Sequence, residues 1–343
     1  MITLNVENFH IISVIKKFRT VLLLIPLLTV ILAGCLENND DTGEIDVVYR
    51  QRMRDLVISI SNYTRQVDPD FILVPQNGHD LLSVEPDTIG TPALDYIEAI
   101  DGMGQEDLLY GSDMDNKETP LDETERLQGL LDLGQANGLQ ALVIDYCFDL
   151  EKMDDSYQRN EEKGYISFAA DRRDLDDIPD HPVEPYNVND DNISTIDEAS
   201  NFLYLLDSSG LGTRKDYLHA LRTSNFDILI IDPFFEDGTI LSREEVNSLK
   251  IKENGGNRLV ISYISIGEAE DYRYYWQDDW KSGHPKFIDS ENPDWKGNYK
   301  VRYWDEQWQN ILLGEDDSYI DKLIDSGFDG AYMDIIDAFE YYE

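Results

Sequence analysis

The sequence predicts an α/β protein, a single (β/α)8 TIM barrel. Short, fully apolar runs alternate with amphipathic stretches, the pattern of a parallel sheet covered by helices. Four such strands precede an Asp-, Pro- and Asn-rich stretch at 171–197, and four follow it. The 343-residue chain, less a leader and a short tail, has the length of one large barrel. Two four-stranded domains are the alternative, set aside because each half would leave its sheet edges uncovered.

The elements follow in order. A helix at 48–67 carries Met53, Leu56, Val57, Ile60 and Tyr63 at three- and four-residue spacing. Asp68-Pro69-Asp70 stops it, 71–74 is a buried strand, and Pro75-Gln76-Asn77-Gly78 is the loop at its end. Residues 94–97 lead into a glycine-containing strand within 99–107 that ends in acids. A helix at 121–137 has an acidic first turn, as the helix dipole favours, and Gly138 suits its C′ position. Strands at 141–145 and 164–170 complete the first half. After 171–197, read as a linker, the pattern restarts, with strands at 201–206, 226–232, 258–265 and 331–334. Helices at 215–222, 244–252 and 319–325 intervene, and an aromatic loop containing Tyr272, Trp276, Trp295 and Trp304 precedes the last helix.

The N-terminus reads as an export signal. Lys16, Lys17 and Arg19 precede an apolar run at 21–33, short for a membrane span and suited to a signal-peptide core. The run closes on Leu32-Ala33-Gly34-Cys35, which resembles a lipobox, in which the cysteine is lipidated and becomes the new N-terminus. Residues 1–35 are therefore expected to be a lipoprotein signal peptide and 36–47 a polar tether. The folded part, 48–343, would then sit on the outer face of the cell membrane through Cys35, or be secreted.

Seventy acidic residues against 28 basic ones give a net charge of −42. Such a surface repels phosphate backbones, so nucleic acid is excluded as a partner. The acidity fits solubility in high salt or, more narrowly, a cationic substrate such as an amino sugar. Cys147, the only cysteine besides Cys35, lies in an apolar run and reads as a small buried hydrophobe. No Cys/His metal spacing, P-loop, GxGxxG, nucleophile elbow, or HIGH or KMSKS signature occurs, so no metal or cofactor is expected. The protein is expected to be a monomer.

Acids recur where strands end: Glu106, Asp145, Asp232, Glu268 and Asp334. Catalytic residues of barrel enzymes come from that rim. One such acid is unremarkable, since Asp often caps the following helix. Several of them, with Tyr146, Tyr263, Tyr272 and tryptophans nearby, point to sugar chemistry. Aromatic faces stack on sugar rings, and paired carboxylates cleave glycosidic bonds.

These residues carry a resemblance. Ile261-Ser-Tyr-Ile-Ser-Ile-Gly-Glu-Ala-Glu-Asp-Tyr-Arg273, Asn292-Pro-Asp-Trp-Lys-Gly-Asn-Tyr299 and Gly327-Phe-Asp-Gly-Ala-Tyr-Met-Asp334 resemble the TM1410/MJ1477-type extracellular proteins. So do Val74-Pro-Gln-Asn-Gly78, Ala99-Ile-Asp-Gly-Met-Gly-Gln-Glu-Asp107 and Val143-Ile-Asp-Tyr-Cys147. Those proteins are placed with glycoside hydrolase family 114, barrels related to endo-α-1,4-polygalactosaminidases. The resemblance implies a catalytic pair at Asp334 and Glu106, the ends of the fourth and sixth family strands. It implies subsite or supporting roles for Asp101, Asp232, Tyr263, Asn77, Asp145 and Glu268, and Gln76, Tyr272 and Trp276 are expected to join them at the substrate. Gln76 stands where the polygalactosaminidase pattern has lysine, which puts that exact specificity in doubt. The block order is reversed relative to the family, which implies a circularly permuted barrel, with 199–343 as its first half and 48–170 as its second. The implied activity is hydrolysis of an α-linked, amino-sugar-type polysaccharide. A surface lipoprotein that binds carbohydrate without cleaving it is the alternative.

Overall fold

The computed structural model describes residues 42–85, 89–314 and 317–343. The expected signal peptide, Cys35 and the start of the tether lie outside the described residues.

Helix α1 (Thr42–Val67) buries the expected stripe of Met53, Leu56, Val57 and Ile60. Strand β1 (Ile72–Pro75) is buried throughout, and a single turn, α2 (Leu94–Ile97), leads to β2 (Gly102–Glu106). Helix α3 (Leu121–Ala136) ends at Asn137, followed by Gly138 at φ +92° as expected of a C′ glycine. Strand β3 (Gln140–Tyr146), helix α4 (Leu150–Glu162) and strand β4 (Ile166–Ala170) follow. Helix α4 is absent from the sequence-based reading because its buried face is Met153, Ser156, Tyr157 and Asn160, half of it polar.

The second half runs β5 (Phe202–Leu205), α5 (Arg214–Arg222), β6 (Ile228–Ile231), α6 (Arg243–Leu249) and β7 (Leu259–Ser265). Thr213 and Ser242 start α5 and α6 with capping boxes to Asp216 and Glu245. The aromatic loop is ordered by a small antiparallel sheet of β8 (Glu268–Glu270), β9 (Ile288–Glu291) and β10 (Asn298–Val301). Helices α7 (Glu306–Leu312) and α8 (Tyr319–Ser326) lead to β11 (Gly330–Asp334), and a 3-10 turn follows at Ile336–Tyr341.

Two parallel sheets form the core. One has the order β1-β11-β7-β6-β5 and the other β2-β3-β4. They meet where Gln76, just past β1, bridges in parallel to Gly104 of β2. There the Asn77 N–H donates to the Gly104 carbonyl at 2.7 Å. On the far side Phe168 of β4 and Phe202 of β5 stand 5.9 Å apart, ring centre to ring centre. Gly104 is required by packing: a Cβ there would lie 2.0 Å from the Tyr332 hydroxyl, because the Tyr332 ring reaches across to β2.

The 171–197 stretch is not a loose linker. Arg173 reaches the strands' C-terminal ends, while Ile193 and Ile196 are buried in the core. Asn189 completes a fully buried ion pair between Lys252 and Asp227, whose charged atoms are 2.8 Å apart. Lys252 Nζ also donates to Asn189 O and Oδ1, both at 3.0 Å. Asp227 Oδ2 accepts from Asn189 Nδ2 and from the Ser200 N–H, each at 2.8 Å. Every bond in that set offsets desolvation, and leaving one such charge unpaired typically costs about 3–5 kcal/mol. The stretch is thus anchored at both ends of the strands despite a composition that reads as loop.

Candidate active site

The strands' C-terminal ends open on a cavity of about 860 Å³. Two carboxylic acids end strands at its floor, Glu106 on β2 and Asp334 on β11.

Glu106 is held by its neighbours. Tyr146, the last residue of β3, donates its hydroxyl to Glu106 Oε1. Asn77 Nδ2 donates to Oε2 at 3.2 Å, and Asn77 Oδ1 accepts from the Glu106 N–H at 3.1 Å. Asn77 turns back with φ +61°, in the left-handed region that Asn tolerates. The β1 loop therefore grips β2 by side chain as well as by backbone.

Asp334 accepts from the Tyr263 hydroxyl at 2.7 Å and from the Ile335 N–H at 2.7 Å. Ile335 has φ +59°, costly for a β-branched residue, and such strain concentrates at functional positions. Burial first, and the nearby Glu106 charge second, push Asp334 up to about 8. The pair therefore holds a proton at neutral pH while Glu106 accepts from two donors. Asp337, also on the cavity, is pushed up to about 7 by burial and by Glu340.

One wall is an ion-pair cluster. Arg273 donates to both oxygens of Asp232, at 2.8 and 2.7 Å, and from Nε to Glu270 Oε2 at 2.7 Å. The Tyr272 hydroxyl donates to Glu270 Oε1 at 2.6 Å. Burial raises Asp232, against the pull of Arg273. Gln76 is buried and accepts from the Tyr204 hydroxyl at 2.8 Å.

The structure thus brings Asp334, Glu106, Asp232, Tyr263, Asn77, Gln76 and Tyr272 to one cavity. Four of the predicted site residues lie elsewhere. Asp101 precedes β2, so it sits at the opposite strand end from Glu106, paired with Arg65 at 3.0 Å and bonded to the Leu73 N–H at 2.8 Å. Asp145 is one residue from Tyr146, and strand alternation turns it away from the cavity. It is buried and accepts from the N–H groups of Leu109 (2.8 Å) and Tyr110 (3.1 Å), from Ser156 (2.6 Å) and from Asn160 (3.2 Å). Glu268 is buried within the small sheet, as the first residue of β8, bonded by Asn292 and Tyr341, each at 2.9 Å. Trp276 packs on Tyr299 at 4.7 Å between ring centres, whereas Trp295, more than half exposed, lines the cavity.

Glu270, Arg273 and Arg173 are site residues that the pattern of strand-end acids does not select. Glu270 and Arg273 lie within the 261–273 motif, spaced for a local ion pair. Arg173 had no signal beyond its charge, because its partners Asp107 and Asp115 are distant in sequence.

Comparison with known proteins shows what part of the chain is similar to. Residues 188–342 match the model of the glycoside-hydrolase family GH114, so the resemblance read from the motifs holds over that portion of the chain, which includes Asp334. A protein of Deinococcus radiodurans is 44% identical over 132 residues, covering 38% of this chain and 40% of that protein. The protein MJ1477 of Methanocaldococcus jannaschii is 40% identical over 157 residues, covering 45% of this chain and 42% of its own length. A Thermotoga maritima protein is 39% identical over 122 residues, covering 36% of each. The chain therefore aligns with about two fifths of the length of these curated relatives.

Asp334 makes the stability of the fold depend on pH. Its folded pKa lies above its ordinary value, so the folded state binds the proton more tightly than the unfolded chain does. That contribution is complete below about pH 4 and is lost as pH rises toward about 8. Asp334→Asn should therefore raise Tm by about 2–6 °C at pH 8 and leave it unchanged near pH 4. Calorimetric scans at the two pH values check this, and an equal shift at both would contradict it.

Proposed function

We propose that the chain is an exported, membrane-tethered glycoside hydrolase that cleaves an α-linked polysaccharide, amino-sugar polymers included, by a two-carboxylate mechanism. The carrying observation is the placement of Glu106 and Asp334 at the ends of β2 and β11, on one cavity, with Asp334 sensing the charge of Glu106. One carboxyl of the pair, protonated, donates to the glycosidic oxygen as the bond breaks. The other, ionised, meets the positive charge that develops at the anomeric carbon, by direct attack or through a water. Tyr146 and Asn77 orient Glu106, and Tyr263 and the Ile335 N–H orient Asp334. Arg173 and Arg273 are already ion-paired, which leaves Lys296 among many acids on the cavity wall. Such a lining favours a cationic or neutral glycan over a uronate polymer.

Reducing ends released from galactosaminoglycan and from neutral α-glucans test the reading. Asp334→Asn and Glu106→Gln should each lose at least about 10³-fold in kcat. Wild-type activity should fall as pH rises through about 8, where Asp334 gives up its proton. Undiminished activity in either variant would remove that residue from the mechanism. Binding without cleavage would favour the carbohydrate-binding alternative.

We also propose that the eight parallel strands act as one closed barrel whose order is rotated relative to the family. Support comes from the pairing of β1 with β11 and from the Gln76–Gly104 bridge between the two sheets. A reordered gene that places 48–170 after Glu343 should give a folded protein with the same cavity. A cooperative melt should be retained, and a chain that fails to fold would refute the rotation.

The tether at Cys35 is proposed from the lipobox-like sequence alone. Labelled fatty acid should enter the wild-type protein and not Cys35→Ala. Equal labelling would rule Cys35 out as the anchor.

A further inference from the structure

Arg173 takes no part in proton transfer by Glu106 and Asp334, yet it is held on the cavity wall by four hydrogen bonds. Nε donates to Asp115 Oδ1 at 2.9 Å, and Nη1 and Nη2 donate to the two oxygens of Asp107 at 3.3 and 2.9 Å. Nη2 also donates to the Gly111 carbonyl at 3.0 Å. These bonds fix the plane of the guanidinium, and that plane has a use. Its central carbon lies 3.9 Å from the centre of the Tyr146 ring. A cation over a tyrosine face is attracted by the ring quadrupole, and a planar guanidinium also stacks on it.

Tyr146 is buried, and its hydroxyl donates to Glu106 Oε1. The clamp that holds Arg173 is itself built at some cost. Asp107, the residue directly after Glu106, has φ +59°. Gly111 has φ +122°, and a Cβ there would lie 2.1 Å from Asp107 Oδ1. Loop backbone in the left-handed region is thus given over to seating one arginine above one phenol.

We infer that Arg173 is a positioning residue for Glu106: by stacking on Tyr146 it holds the phenol so that its hydroxyl meets the carboxylate in a single orientation. This rests on the two-carboxylate reading, since Glu106 is a reacting group only there. Lysine cannot take the place of Arg173, because a point charge on a flexible stem has neither the fork for Asp107 and Asp115 nor a plane for the ring. Arg173 is about one-third exposed, so its replacement leaves the core intact.

The test uses Arg173→Gln, Arg173→Lys, Tyr146→Phe and the double variant Arg173→Gln/Tyr146→Phe. In the crystal structure of Arg173→Gln, the Tyr146 hydroxyl should move out of hydrogen-bond distance of Glu106. On glycan substrate, Arg173→Gln should lower kcat by about 10- to 100-fold with KM within about twofold, and Arg173→Lys should not restore it. The double variant should lose no more than Tyr146→Phe alone, because both changes remove the same restraint. A Tyr146–Glu106 bond unchanged in the Arg173→Gln crystal structure would overturn the inference, and so would losses that multiply in the double variant. The crystallographic comparison decides it even where no glycan is cleaved, so its failure is distinct from failure of the proposed activity.

Discussion

The ladder between β1 and β11 is the constraint on which the site depends. Ile72 pairs with Gly330 and Pro75 with Met333, joining strands more than 250 residues apart in sequence. The approach is close: a Cβ on Gly330 would lie 2.4 Å from the Ile72 carbonyl oxygen. Past the ladder, the Gln76 N–H donates to the Met333 carbonyl at 2.8 Å, and the next residue, Asn77, turns to hold Glu106. Asp334 stands one residue beyond Met333. One parallel pairing therefore sets the position of both carboxyls. Outside the sheet the same two regions are tied by Arg50, paired with Glu343 at 2.8 Å and placed 5.0 Å from the Phe339 ring centre. Contacts of such sequence separation must overcome a large loop-closure entropy, so they form only with the support of neighbouring strands.

Around that ladder the protein uses its carboxylates in two different ways. Asp145, Asp227 and Glu268 are buried and take up backbone, amide, hydroxyl or ammonium donors. They connect elements. Asp334 and Asp337 instead face the cavity, and burial raises them as it raises Asp145 and Glu268. The difference is one of position, not of residue type: a carboxylate enclosed by other elements joins them, and one that ends a strand at the cavity is open to a ligand. This is the usual exchange of stability for function at a site.

The eight parallel strands, most helices and the pairing of acids with strand ends were legible because each depends on local pattern, whereas the small antiparallel sheet was read as loop. Gly138 was legible too, since a C′ glycine acts within a few residues of itself. What escaped reading is of another kind. Helix α4 hides its buried face behind Ser156 and Asn160, whose burial makes sense only once Asp145 is known to face them. The 171–197 stretch has the composition of a linker, yet Asn189 and Arg173 are held by partners elsewhere in the chain. Asp101 and Asp145 are acids like the cavity residues, and only their strand end or strand face separates them; Glu268 and Trp276 are turned aside by packing in and around the small sheet.

The sequence by itself determined the α/β class, the strand ends as the place to look, and the family likeness carried by its motifs. Periodicity and short motifs report the backbone within a few residues, and those features are local. Tertiary structure decided which acids meet, that Arg173 stands over Tyr146, and that β1 lies against β11. Each of these is a contact between side chains or strands that local sequence places independently, so their meeting follows from how the whole chain packs.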